Sequence, residues 1–175
     1  ELPPGPVRDR FSQTDVNHDE VITRAEWEGM AEMFTKAGNA LLAIRAGGKG
    51  DITKTHVAWK ATRSLTYISS PLYYEGKLYT IKNGGLASCY DAKTGKPFYQ
   101  DERVGAPGDY YSSAVAANGK IYLASQQGLM LVMAAGETLN VLARNDLASQ
   151  VMATPALVEG KLYVRTATHL YAFGN

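Results

Sequence analysis

From about residue 41 onward, apolar and polar positions alternate with a period of two, the signature of half-buried β-strands. One stretch recurs: Ser70-Pro71-Leu72-Tyr73-Tyr74-Glu75-Gly76-Lys77-Leu78-Tyr79 returns as Ser113-Ala114-Val115-Ala116-Ala117-Asn118-Gly119-Lys120-Ile121-Tyr122. It returns again as Thr154-Pro155-Ala156-Leu157-Val158-Glu159-Gly160-Lys161-Leu162-Tyr163, so the glycines Gly76, Gly119 and Gly160 are spaced by 43 and then 41 residues. Each copy predicts strand, two-residue turn, strand. Glu75-Gly76, Asn118-Gly119 and Glu159-Gly160 form the turns, since a tight hairpin needs positive φ and glycine adopts it freely.

A third strand is predicted after each hairpin, at Leu86–Tyr90, Leu129–Val132 and Leu170–Phe173. A fourth follows in two copies, around Pro97–Asp101 and Leu139–Arg144. An earlier third strand is expected at Leu41–Ile44, 45 residues before Leu86, with its fourth strand at His56–Lys60. Four strands per ~40–45 residues is the period of a β-propeller blade. The expected fold is therefore mainly β: an incomplete, open β-propeller of four-stranded antiparallel blades. The count is two, four, four and three strands, short of the ~16 that a closed ring needs.

The residues before this repeat follow another rule. Asp15-Val16-Asn17-His18-Asp19-Glu20-Val21-Ile22-Thr23-Arg24-Ala25-Glu26 matches a twelve-residue EF-hand loop. Calcium is a hard ion taking six to eight oxygens, and this spacing wraps oxygens around one point. Asp15, Asn17 and Asp19 fall at positions 1, 3 and 5. The Val21 carbonyl falls at 7, and Glu26 falls at 12 as a two-oxygen ligand. Trp27, Met30, Ala31 and Phe34 share one face of an exiting helix, and Val7 and Phe11 lie one turn apart before the loop. Position 6, usually glycine, is Glu20, and a side chain there costs roughly 1–2 kcal/mol in the left-handed region. The domain boundary is accordingly placed between a helix-loop-helix segment, 1–38, and the blades, 39–175. The expected affinity is weak, about 10⁻⁴–10⁻³ M, which suits a structural ion.

Composition narrows the function classes. Lys plus Arg is 18 against 17 for Asp plus Glu, so a net charge of +1 gives no basis for nucleic acid as a partner. No apolar run reaches the ~18 residues of a membrane span. A single cysteine, Cys89, excludes an internal disulfide and is expected to be a small buried strand residue. The opening Glu1-Leu2-Pro3-Pro4-Gly5-Pro6 is no signal peptide, and the chain is expected to be a mature form or a piece of something longer. His18 is a non-ligand loop position. His56 and His169 stand alone at strand starts and are read as structural. Gly47-Gly48-Lys49-Gly50-Asp51 lacks the first glycine and the trailing hydroxyl of a phosphate loop, and reads as a hairpin connection.

The segment Tyr90-Asp91-Ala92-Lys93-Thr94-Gly95-Lys96-Pro97-Phe98-Tyr99 resembles the Asp-x-x-Thr-Gly-x-x-x-Trp docking motif of the PQQ-like, or quinoprotein-like, β-propeller repeat family. Tyr99 stands where that family usually has Trp, and the following blade has Ala135-Gly136 with Leu142 at that place. The resemblance covers residues 41–175 and looks most like the C-terminal portion of a secreted bacterial member. It implies an extracytoplasmic setting, periplasmic or secreted. The family includes quinoprotein dehydrogenases, which bind PQQ and calcium in the channel, and scaffolds such as the lipoprotein of the outer-membrane β-barrel assembly machinery.

Paired cysteines and an inner-strand Trp are absent from this span, so PQQ is not expected in it, and a binding or scaffold module is the leading reading. Part of a PQQ-dependent dehydrogenase is the alternative. A calcium-dependent adhesive or polysaccharide-binding surface is a third class. No catalytic constellation is named. The connections before successive inner strands line one channel mouth in such folds, so Tyr67, Asp109, Tyr110 and Met152 are the candidates for a ligand- or partner-facing surface. The expected partners are missing blades of a longer chain, or a second chain recruited through open blade edges.

Overall fold

The computed structural model describes residues 11–36 and 38–174. They fall into two compact units that part after Asn39. In the first, a helical turn over residues 11–14 leads into a loop and then the helix Arg24–Lys36. Val7 and the side chain of Phe34 lie outside the described residues.

The second unit holds thirteen strands among the described residues, in four antiparallel sheets. The first sheet pairs β1 (Leu41–Ile44) with β2 (Val57–Ala61). The second runs β3 (Leu72–Tyr74), β4 (Lys77–Lys82), β5 (Leu86–Asp91), β6 (Pro97–Arg103). The third runs β7 (Val115–Ala117), β8 (Lys120–Ala124), β9 (Leu129–Ala134), β10 (Val141–Asp146). The last runs β11 (Ala156–Val158), β12 (Lys161–Arg165), β13 (Leu170–Phe173). This is the two, four, four, three series that the repeat predicts, an open run of propeller blades. Each inner hairpin turns through two consecutive positive-φ residues: Glu75 and Gly76, Asn118 and Gly119, Glu159 and Gly160. Such turns match the right-handed twist of the flanking strands.

The fourth strand of the third sheet begins two residues later than the alternation suggests. The Ala134 amide donates to the Asn140 carbonyl, which closes the preceding turn and holds Leu139 against the core instead of in the ladder. The first rung is Val141 against Met133.

The apolar core lies between sheets. Tyr79, Ile81, Ala87 and Cys89 of the second sheet meet Ile121, Leu123, Leu131 and Met133 of the third. Ala124 and Met130 of the third meet Val164 of the fourth, beside Val151. Strand alternation therefore buries both faces of an internal blade, one against each neighbour.

Polar seams fix the blades' mutual register. The Ser70 amide donates to the Ser113 hydroxyl at 2.9 Å, and the Ser113 amide donates to the Thr154 hydroxyl at 3.0 Å. These three residues open the three repeat copies, so one bond type passes along the blades. The Gly136 amide donates to the Tyr79 hydroxyl at 2.9 Å. Trp59 of β2 donates from its indole to the Ala92 carbonyl at 3.0 Å. It also lies so close over Gly95 that a Cβ there would sit 2.5 Å from the ring.

Candidate metal loop and channel-mouth surface

The loop of the first unit is wound by its own side chains. Asp15 is buried, and its two carboxylate oxygens accept from the amides of Asp19 (3.1 Å) and Glu20 (2.9 Å). Asn17 Oδ1 accepts from the Asp19 amide at 3.1 Å, and Asp19 Oδ1 from the Val21 amide at 2.9 Å. Short polar side chains that accept from amides two to five residues on are what turn such a segment. Glu20 holds φ +67°, the left-handed conformation that glycine usually supplies at this place.

Glu26 reaches from the helix start back to the head of the loop. Oε1 accepts from the Val16 amide at 3.0 Å, and Oε2 accepts from the Thr23 amide and hydroxyl at 2.9 and 2.7 Å. Thr23 Oγ1 in turn accepts from the Glu26 amide at 3.3 Å, which completes a capping box at the helix start. The Thr23 hydroxyl bond, then the Thr23 amide, holds the Glu26 carboxyl below the usual carboxylate range. Thr14 donates to Met30 Sδ at 2.8 Å, tying the entering turn to the exiting helix.

The structure thus winds Asp15, Asn17 and Asp19 round one turn, and the Glu26 carboxylate reaches the Val16 amide between the first two. Among the described residues, no three His, Cys, Asp or Glu side chains are gathered as metal ligands. The donor set fits calcium in kind, being all hard oxygens, and in the conformation at Glu20. It fits less well at Glu26, whose oxygens serve amides and a hydroxyl.

In the blade unit, the connections that enter each inner strand and the turns after each second strand bond to one another on one face. The Gly84 amide donates to the Gly108 carbonyl, Gln126 to Asp109, Val151 to Gln126 and Ala167 to Gln150. Tyr67 stands on its connection 73% exposed, beside exposed Ile68. Met152 is also exposed and lines a shallow pocket with Gln150, Arg165, Thr166 and Ala167. Asp109 is half-buried and uses its carbonyl within the belt.

Tyr110 departs from the expected surface position. It is wholly buried, its amide bonds the Asn83 side chain at 3.0 Å, and its hydroxyl donates to the Ala106 carbonyl at 2.7 Å. That backward bond turns the ring into the core, where burial raises the phenol well above its ordinary range. Tyr110 is a packing residue. Sequence reading also missed Trp59 as a blade-docking group and the hydroxyls of Ser113 and Thr154 as acceptors. Their recurrence at one repeat position was the available signal.

No family model matches the chain, and no curated protein matches it. Solved structures do. BamB from Moraxella catarrhalis superposes with a TM-score of 0.61 at 18% identity, over 79% of this chain and 41% of that one. The quinohemoprotein alcohol dehydrogenase ADHIIG from Pseudomonas putida HK5 gives 0.51 at 16% identity, over 61% of this chain and 19% of that one. The computationally designed Ika4 protein gives 0.55 at 12% identity, over 78% of this chain and 85% of that one. The chain spans less than half the length of the two natural proteins. At these identities the likeness is one of fold, a β-propeller of the BamB and quinoprotein kind.

Proposed function

We propose that this chain is the blade-bearing part of a binding or scaffold propeller that works outside the cytoplasm, with one calcium ion steadying its N-terminal loop. The observation that carries the calcium reading is the loop backbone. Glu20 accepts a left-handed conformation while its amide and that of Asp19 both turn onto Asp15. Asp15, Asn17, Asp19, the Val21 carbonyl and Glu26 would hold the ion, and the ion would supply a charge centre that keeps the loop wound. The binding reading is supported by Tyr67, Ile68 and Met152, whose large side chains stand exposed on that face. The extracytoplasmic setting rests on the family resemblance.

Isothermal titration with calcium tests the loop. Saturable heat in the millimolar range is expected. Asp19→Asn, which removes a charged ligand but keeps an oxygen to accept from Val21, should weaken it severalfold. No heat at millimolar calcium would overturn the reading. The dehydrogenase alternative is decided separately. Dye-linked alcohol or sugar oxidation appearing on addition of PQQ and calcium to the purified chain would displace the scaffold reading, and none is expected.

A further inference from the structure

One turn inside the blade unit departs from the repeat. The turn from third to fourth strand spans residues 92–96 in the second sheet and 135–140 in the third, but 45–56 in the first, at least twice the length of either. The longer turn carries Arg45, Lys49 and Lys54, all exposed, against a single acid, Asp51. Asp51 is already engaged: its Oδ1 accepts from the Thr53 amide at 2.9 Å and from the Thr53 hydroxyl. The turn is folded on itself. The Ile52 carbonyl accepts from the amides of Thr55 (3.1 Å) and His56 (3.0 Å), and the Arg45 amide donates to the His56 carbonyl at 2.8 Å. Gly48 lies so close against this fold that an added Cβ would stand 2.9 Å from His56 Nε2 and nearer still to Ile52 Cγ2. The amides of Gly47, Gly48, Lys49 and Gly50 have no acceptor among the described residues. His56 Nδ1 lies 2.7 Å from the Thr55 hydroxyl. When that hydroxyl donates, the ring hydrogen sits on Nε2, beside Gly48.

We infer that this turn is a phosphate-binding site. Successive main-chain amides in a glycine-rich turn form a concave row of partial positive charge, which suits a tetrahedral oxyanion. Glycine at these positions lets an anion approach the main chain closely. The Nε2–H of His56 adds a donor beside the row, and Lys49 and Lys54 add charge-assisted donors on the same turn. The ligand is a single phosphate group, not the triphosphate of a nucleotide. The turn joins two strands, so no helix N-terminus stands behind it to hold a chain of phosphates. A free phosphate and a phospholipid headgroup share this chemistry. The inference goes beyond the calcium and scaffold readings and rests on neither.

Isothermal titration of the full chain with inorganic phosphate, in calcium-free buffer at low salt, reads the site. Saturable binding in the millimolar range is expected, and it should weaken as salt rises. Lys49→Gln together with Lys54→Gln should weaken it about tenfold. The matched pair Lys93→Gln and Lys96→Gln, on the corresponding turn of the second sheet, should leave it unchanged. Asp51→Asn keeps an oxygen for Thr53, removes the repelling charge, and should tighten binding severalfold. Gly48→Ala keeps the net charge but sets a methyl against His56, and should weaken binding severalfold with an unchanged circular dichroism spectrum. The contrast between the two lysine pairs decides alone if Gly48→Ala disturbs the fold. Sedimentation with vesicles of phosphatidylglycerol in phosphatidylcholine distinguishes the source. Vesicle binding that inorganic phosphate competes away assigns a lipid headgroup, and binding of inorganic phosphate without vesicle binding assigns a free anion. No saturable phosphate binding would overturn the inference. Equal losses from the two lysine pairs would overturn it too, leaving only diffuse charge, as would a well-folded Gly48→Ala chain that binds like the unaltered one.

Discussion

Gly95→Ala tests the docking of the first blade on the second. Gly95 holds φ +72°, and a Cβ there would lie 2.5 Å from Trp59 Cδ2 and 2.8 Å from Cγ and Cε3. The backbone alone penalises alanine by about 1 kcal/mol in this conformation. The ring must also move, which loses the 3.0 Å indole bond to Ala92, worth about 1 kcal/mol, and some packing, worth about 1–2 kcal/mol. The sum is about 3–4 kcal/mol. Gly84→Ala is the control, since Gly84 has φ +89° with nothing within 4 Å of the added carbon. It should cost only the backbone share, about 1 kcal/mol. Urea unfolding followed by circular dichroism measures both. The difference of about 2–3 kcal/mol corresponds to roughly 5–10 °C in Tm for a domain of this size. Adding Trp59→Ala to Gly95→Ala should remove most of the excess, because the clash has then lost its second partner. Equal losses for Gly95→Ala and Gly84→Ala would refute the claim that Trp59 docks the blades.

Three further outcomes are expected. Glu20→Gly should relieve the left-handed strain in the loop, adding about 1 kcal/mol to its stability, and should tighten calcium binding, read by titration calorimetry. Thr80 Oγ1 is buried without a partner among the described residues, so Thr80→Val should raise unfolding stability by about 1 kcal/mol, and a loss in urea melts would contradict the orphan assignment. Burial pushes the Cys89 thiol up to about 11 and the Tyr79 hydroxyl up to about 12. Both are neutral when protonated, so their share of stability is whole below pH 9 and drains away as pH rises through those values. Thermal melts from pH 8 to 12 should fall in that window, and Cys89→Ala should flatten its lower part.

The blades were legible because their signals are local: a two-residue turn, an alternating pair of strands, a fixed period. Thirteen strands follow from these without knowledge of what packs on what. Trp59 was not legible as a docking group because its partners, Ala92 and Gly95, belong to the next blade and meet it only after both sheets form. Tyr110 misled for a related reason. A loop position and an aromatic ring suggest an outward surface, yet one bond back to Ala106 reverses the side chain. In the loop of the first unit the pattern of oxygens could be read directly. The competing use of Glu26 as a helix cap came from Thr23 three residues before it, a capping pair visible in sequence but overshadowed by the loop match.

The doubled positive-φ turns of the three inner hairpins bear on how the molecule assembles. A hairpin whose turn already suits the twist closes in about 1–10 μs without help from distant residues. Each blade can therefore form its inner pair alone, and the seams, which join residues about 40 positions apart, are made afterwards. Changes at Asn118-Gly119 should then slow refolding, while changes at Ser113 or Thr154 should chiefly hasten unfolding. A ribosome releasing the chain from its N-terminus would meet the same order, each blade docking on the one before it as its Ser or Thr emerges.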